Sequence, residues 1–238
     1  ALPIWLFRVP EQGALFNRMG FNNHGALEIA GRVDRARAKL PETFRVGVNI
    51  GKNRDTLPQN AADDYGLAVE PFEGLVDFVV INVSSPNTPG LRALQTGEEL
   101  QKIVEKVTGN VAGWLRSVPV LLKLSPDLGE EEIHRIIEEG EARWGVGGWV
   151  LTNTLPGEWA GGSGGWSGLP VREASRRVLE IAHRHARCPI ISSGGIDSPE
   201  EALERIRLGA SLVEIYSAWI FKGPKLPGRI ARRLAWRS

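Results

Sequence analysis

The sequence predicts an α/β fold whose parallel strands close as a barrel, and three observations carry that expectation. Six short apolar, β-branched runs punctuate the chain: Arg45–Ile50, Phe78–Val83, Val118–Leu124, Gly148–Thr152, Pro189–Ser192 and Leu212–Tyr216. The segments between them have helical spacing. Polar side chains recur at the C-terminal end of nearly every run.

Each run is too short for a helix and too uniformly apolar for a strand with one wet face. Parallel strands buried on both faces read this way. Helix signals lie between them. Asp127 precedes Glu130–Glu132 and the apolar positions Ile133, Ile136 and Ile137, while Ser198-Pro199-Glu200-Glu201 offers a cap, a first-turn proline and early acids. Gly209, after Leu208, reads as a helix stop. Such alternation gives a parallel sheet, either doubly wound or closed. The strand ends decide: Asn49, Asn82 with Ser84 and Ser85, Lys123, Thr152 with Asn153, Gly194 with Gly195, and Tyr216 with Ser217. A doubly wound sheet gathers its ligands at one switch point, whereas a barrel gathers them from every strand around one mouth. Gly161–Gly165, between Trp159 and Trp166, reads as a flexible loop.

The 238 residues fit a single domain, residues 1–238. With 29 basic and 28 acidic residues there is no general attraction for nucleic acid, and the basic stretch from Lys222 to Arg237 reads as a solvated face. A lone cysteine, Cys188, excludes an intramolecular disulfide and favours an intracellular setting; at a strand start it reads as a small buried hydrophobe. No apolar run approaches the ~20 residues that span a bilayer. The abrupt start at Ala1, without Met, is how a fragment begins. His183 and His185 read as a solvated helix end rather than metal ligands, so no metal site is expected; Asp63-Asp64 reads as helix-start charge.

The densest chemistry is Asn82-Val83-Ser84-Ser85-Pro86-Asn87-Thr88-Pro89-Gly90, an irregular path directly after a strand. Three more Asn-bearing stretches accompany it: Asn17-Arg18-Met19-Gly20-Phe21-Asn22-Asn23, Asn49-Ile50-Gly51-Lys52-Asn53 and Thr152-Asn153-Thr154. An amide offers donor and acceptor together, which suits a ligand of imide and carboxylate groups, and burying many amides without partners is costly. Ser192-Ser193-Gly194-Gly195-Ile196-Asp197 follows the penultimate run, where barrels commonly bind phosphate through bare backbone N–H groups. Lys123 interrupts an apolar strand and is expected to face a group that gathers negative charge. These residues alone leave open another phosphate-binding barrel, with Lys123 forming a Schiff base, and a remnant that keeps the fold but binds nothing.

In this order, Asn-Arg-Met-Gly-Phe-Asn-Asn, Asn-Ile-Gly-Lys-Asn, Asn-Val-Ser-Ser-Pro-Asn-Thr-Pro-Gly-Leu-Arg, Thr-Asn-Thr, Gly-Gly-Ile-Asp and Ile-Tyr-Ser resemble the class 2, quinone-linked dihydroorotate dehydrogenases from about Leu6 onward. Phe221-Lys222-Gly223-Pro224 belongs to the same pattern. The resemblance implies a (β/α)8 TIM barrel with strands three to eight in this chain, and oxidation of dihydroorotate to orotate in pyrimidine synthesis. FMN accepts the hydride from C6 and a quinone is the final acceptor. Ser85 is implied as the base that takes the C5 proton; because a serine hydroxyl is a poor base at neutral pH, Thr88 and Phe21 are the candidates for organising a water behind it. The resemblance assigns Asn17, Arg18, Met19, Gly20, Phe21, Asn82, Asn87, Asn153 and Thr154 to the substrate. It assigns Asn49, Asn82, Lys123, Thr152, Gly168, Gly195, Tyr216 and Ser217 to FMN. It further implies that the family's first two barrel strands and membrane-associating helices, which form the quinone tunnel, precede the point where this chain starts. A monomer on the cytoplasmic face of the inner membrane is implied, with the present piece itself soluble. Between Thr154 and Ser167 the span is shorter than the family's loop.

Overall fold

A computed structural model of the chain describes residues 5–87, 91–95 and 97–235. An antiparallel pair, β1 (Leu6–Val9) and β2 (Ala14–Asn17), comes first, followed by α1 (Ala26–Arg37) and β3 (Gly47–Ile50). Then come α2 (Ala61–Val69), β4 (Phe78–Asn82), α3 (Glu98–Ala112), β5 (Val120–Leu124), α4 (Glu130–Ala142) and β6 (Gly148–Leu151). A second antiparallel pair, β7 (Leu155–Trp159) and β8 (Gly162–Gly168), interrupts the alternation. After it follow α5 (Arg172–His183), β9 (Ile190–Ser193), α6 (Pro199–Arg207), β10 (Leu212–Glu214), α7 (Ser217–Lys222) and α8 (Leu226–Ala235).

All six apolar runs are strands of one parallel sheet, in the order β3-β4-β5-β6-β9-β10, and this sheet curls into a half-barrel. Their ends differ from the sequence reading by one or two residues. Register places Asn82, Lys123, Val150, Ile191 and Leu212 in one row across five strands. Successive side chains point to opposite faces. Ile81, Leu122, Leu124, Trp149 and Leu151 therefore pack outward among the helices, in the main core. Val80, Leu121 and Val150 point inward, where they form a smaller cluster with Phe78 and Ile191. Fully burying each such side chain contributes about 1.5–3 kcal/mol, so a slip by one residue, which would exchange the faces, is strongly disfavoured.

Helix ends follow local chemistry. Ser198 caps α6 by accepting the Glu201 N–H at 3.1 Å, with Pro199 at the first turn. At α4 the cap position falls to Gly129 rather than Asp127, and the Glu132 carboxylate reaches back to the Gly129 N–H at 3.1 Å.

The expected flexible loop at Gly161–Gly165 is a correction. Gly162–Gly168 is a strand, paired with β7 on one side and with β2 on the other, in a four-stranded antiparallel sheet ordered β1-β2-β8-β7. Its glycines carry no side-chain alternation that could announce a strand. The packing requires them: a Cβ at Gly164 would lie 2.5 Å from the Asn17 carbonyl oxygen and 2.6 Å from the Phe16 ring. The hairpin of β1 and β2 was likewise not anticipated.

Candidate active site

The small antiparallel sheet is tied across the C-terminal ends of the half-barrel. The Asn87 side-chain amide donates to Asn17 Oδ1 at 2.8 Å, and Ser217 Oγ to Ser167 Oγ at 2.7 Å. Between the two sheets lies a cavity of about 510 Å³. Ser85, Lys123, Asn153 and Tyr216, which arise from four different strand ends, all line it. So do the predicted residues Asn17, Met19, Gly20, Phe21, Asn49, Asn82, Asn87, Thr152, Thr154, Gly168, Gly195 and Ser217.

Asn82 ends β4 and organises one wall. Its Oδ1 accepts the Ser84 N–H at 3.1 Å, the Ser84 hydroxyl at 2.9 Å and the Asn153 amide at 3.1 Å. Asn153 Oδ1 in turn accepts the Thr154 N–H at 2.8 Å. The amides thus partner one another, so their burial does not by itself demand a ligand, as the sequence argument supposed. Beneath them the Tyr65 hydroxyl donates to the Asn82 carbonyl at 2.7 Å, and burial pushes the Tyr65 phenol far above its ordinary range, keeping it a neutral donor. Ser85 is buried, and its Oγ accepts the Asn87 N–H at 3.3 Å. Thr88, named above as organising a water behind Ser85, lies outside the described residues.

Lys123 rises from β5 into the cavity, its side chain only 9% exposed, and meets Glu214 Oε1 at 3.2 Å. The negative partner expected for this lysine is thus, within the chain, a carboxylate on β10. On the opposite edge Asn49 is exposed on β3. Lys52, buried beside it, donates to the Asn53 and Thr56 carbonyls at 2.8 and 2.6 Å and so holds its own loop together.

Arg18, expected among the substrate residues, has its side chain outside the cavity lining. Its guanidinium turns away from the cavity, donates to the carbonyls of Trp159, Ala160 and Gly162, and lies 5.4 Å from the centres of the Phe7 and Phe16 rings. A flat, weakly hydrated cation finds aromatic faces and hairpin carbonyls there, so Arg18 braces β7 and β8.

Sequence reasoning missed two charged groupings. Glu214 was read only as part of a strand. Arg205 was passed over although it stands four residues after Glu201 on α6, a spacing that brings opposite charges together; it is fully buried and donates to Glu201 Oε1 at 2.7 Å. Around it the Gly194–Gly195 turn runs with φ of +108° and +73°, backbone territory open to glycine. Asp197, next in line, is held below the usual carboxylate range despite partial burial, because Lys222 and Arg172 donate to it at 2.8 and 2.5 Å. Among the described residues no cluster of His, Cys, Asp and Glu could hold a metal ion.

A curled parallel sheet whose strand ends share one polar cavity defines an α/β protein of the barrel type, with its site at the C-terminal face. Known proteins narrow this. Residues 5–237 match the family model described as dihydroorotate dehydrogenase. A dihydroorotate dehydrogenase (quinone) of Nocardia farcinica is 43% identical over 97% of this chain, and one of Myxococcus xanthus 41% over 97%. The chain spans 64% of the length of each. A solved dihydroorotate dehydrogenase of Eimeria tenella, in complex with ferulenol, superposes with a TM-score of 0.88 at 32% identity, covering 98% of this chain and 70% of that one. The chain belongs to the dihydroorotate dehydrogenase family.

Proposed function

We propose that the protein oxidises dihydroorotate to orotate, with FMN as hydride acceptor and a quinone as final electron acceptor. The observation that carries this reading is the convergence of Ser85, Lys123, Asn153 and Tyr216 on one cavity, on a chain of this family. On this reading residues 1–238 form one FMN-binding domain whose parallel strands are the third to eighth of a (β/α)8 barrel. The quinone site and a peripheral contact with the cytoplasmic face of the inner membrane belong to the whole protein, taken as a monomer. Among the described residues no helix is long and apolar enough to cross a membrane.

The residues present fit FMN. The Gly194–Gly195 turn has the bare, left-handed backbone that lets amide N–H groups approach a phosphate. Lys123 supplies a buried cation, and Asn49, Asn82, Thr152, Gly168, Gly195, Tyr216 and Ser217 would complete the site. When bound, FMN supplies a two-electron acceptor.

The chain's own residues do the rest. Asn17, Met19, Gly20, Phe21, Asn82, Asn87, Asn153 and Thr154 border the space that a flat imide carrying a carboxylate would take. Their amides exchange partners with such a ligand at little cost, since each offers both donor and acceptor. Ser85 would take the proton from C5. A serine hydroxyl is far from the pKa that suits a general base, so as it takes the C5 proton it would hand its own to a water behind it, and its burial keeps bulk water from competing.

The test is Ser85→Ala in the full-length protein. Flavin absorbance should persist, while bleaching of the flavin by dihydroorotate should slow by more than a hundredfold, within the range expected for removing a general base. A variant that loses its flavin would make Ser85 a cofactor ligand, and undiminished bleaching would refute its role as base.

A further inference from the structure

We infer that Arg205 and Ser175 are positioning residues that aim the Gly194–Gly195 turn at a phosphate group, an inference that rests on reading the cavity as an FMN site. Arg205 is fully buried on α6. Taking a guanidinium out of water costs several kcal/mol unless its charge and donors are matched. Here each of its five N–H groups has an acceptor. Nε donates to Glu201 Oε1 at 2.7 Å; Nη1 donates to Ser175 Oγ at 2.6 Å and Ser192 Oγ at 3.2 Å; Nη2 donates to Gly194 O at 2.9 Å and Arg172 O at 3.2 Å.

One carboxylate would have sufficed to balance the charge. The remaining bonds reach the strand end and the turn, and they have a direction. The Gly194 carbonyl receives Arg205 at 2.9 Å, and the Ser175 hydroxyl also lies 2.9 Å from it. Both donors sit on the buried side, beneath the turn. The only cis peptide among the described residues is Leu151–Thr152, so the Gly194–Gly195 peptide is trans. In a trans peptide the N–H points opposite the carbonyl. Holding the Gly194 oxygen downward therefore turns the Gly195 N–H upward, into the cavity that both glycines line. Arg172 repeats the device one residue on, its Nε donating to the Gly195 carbonyl at 3.0 Å and so orienting the Ile196 N–H.

Charge is arranged to the same end. Asp197, two residues after the turn, is neutralised by Arg172 and Lys222, and Glu201 is shared by Arg172, Arg176 and Arg205. Successive backbone N–H groups over a buried cation are an anion nest. The contacts bear on the phosphate and not on the rest of a flavin, so their removal should act on phosphate recognition alone.

Flavin binding to the apo form of the full-length protein, followed by fluorescence quenching with FMN and with riboflavin, separates the possibilities. Ser175→Ala and Arg205→Lys should each weaken FMN by roughly tenfold, about 1.4 kcal/mol, and leave riboflavin within twofold of wild type. Ser175→Ala is nearly isosteric and keeps the test alive if the arginine variant does not fold. Equal weakening of both flavins, or no change in either, would overturn the positioning role. Failure of the wild-type protein to bind FMN would instead overturn the cofactor reading beneath it.

Discussion

Asp77 ties α1 to the start of β4, and its removal has a calculable consequence. It precedes β4, with a side chain only 6% exposed, and accepts the Val46 N–H at 2.8 Å. Arg37, at the end of α1, donates to both of its oxygens, and Arg45 and Arg116 stand 3.5 and 3.7 Å away. Principally through the Arg37 bond, with the Val46 N–H and the charge of Arg45 adding to it, its pKa is held at about 2 against an ordinary 3.8. A pKa lower in the folded than in the unfolded state stabilises the fold above the unfolded value, and that stability is lost as pH falls toward the folded one. At 1.36 kcal/mol per pH unit the upper bound is about 2.4 kcal/mol at pH 7. Arg45 and Arg116 are well exposed and screened, so about 1–2 kcal/mol is the working figure. Asp77→Asn keeps an acceptor for Val46 and deletes the charge. Urea unfolding should show the variant less stable by that amount at pH 7, with roughly half of the difference gone by pH 3. An unchanged difference across this window, or none at pH 7, would refute the argument and sever α1 from the edge that presents Asn49.

Three further outcomes are expected. Glu214→Gln removes the carboxylate beside Lys123 and leaves its charge to the cofactor, so the midpoint potential of a bound flavin should rise by roughly 20 mV, the two-electron equivalent of about 1 kcal/mol; a dye-coupled redox titration measures it, and a fall would contradict the pairing. Gly164→Ala forces a methyl group against the Asn17 carbonyl and the Phe16 ring, and should cost about 1–3 kcal/mol in thermal or urea unfolding while loosening the hairpin over the cavity. Burial, helped by the neighbouring Glu141, pushes the Cys188 thiol up, so iodoacetamide should label the native protein slowly at pH 8 and the unfolded chain fast; rapid native labelling would count against it.

Much of this protein was written in one dimension. Apolar runs of strand length imposed the six-stranded parallel sheet, because a chain that buries both faces of short β-branched segments has few other ways to cover them. Ser198 and Pro199 announced α6 through groups that act within one turn. The polar strand ends announced the cavity, since a shared mouth is a property of parallel strands as such. What stayed hidden depends on partners far away in the chain. Gly162–Gly168 becomes a strand only because β2 lies alongside, and the absence of side chains that permits this contact is what erased its pattern. The aromatic rings of Phe7 and Phe16 and the β7–β8 carbonyls that receive the Arg18 guanidinium come together only in the fold. Glu214 meets Lys123 across 91 residues, and Arg205 grips a turn whose carbonyls carry no signature in the amino-acid code. Local propensity and periodicity act between neighbours and are legible to the eye; charge pairing, steric permission and carbonyl orientation act between whatever the fold brings together, and only the fold decides them.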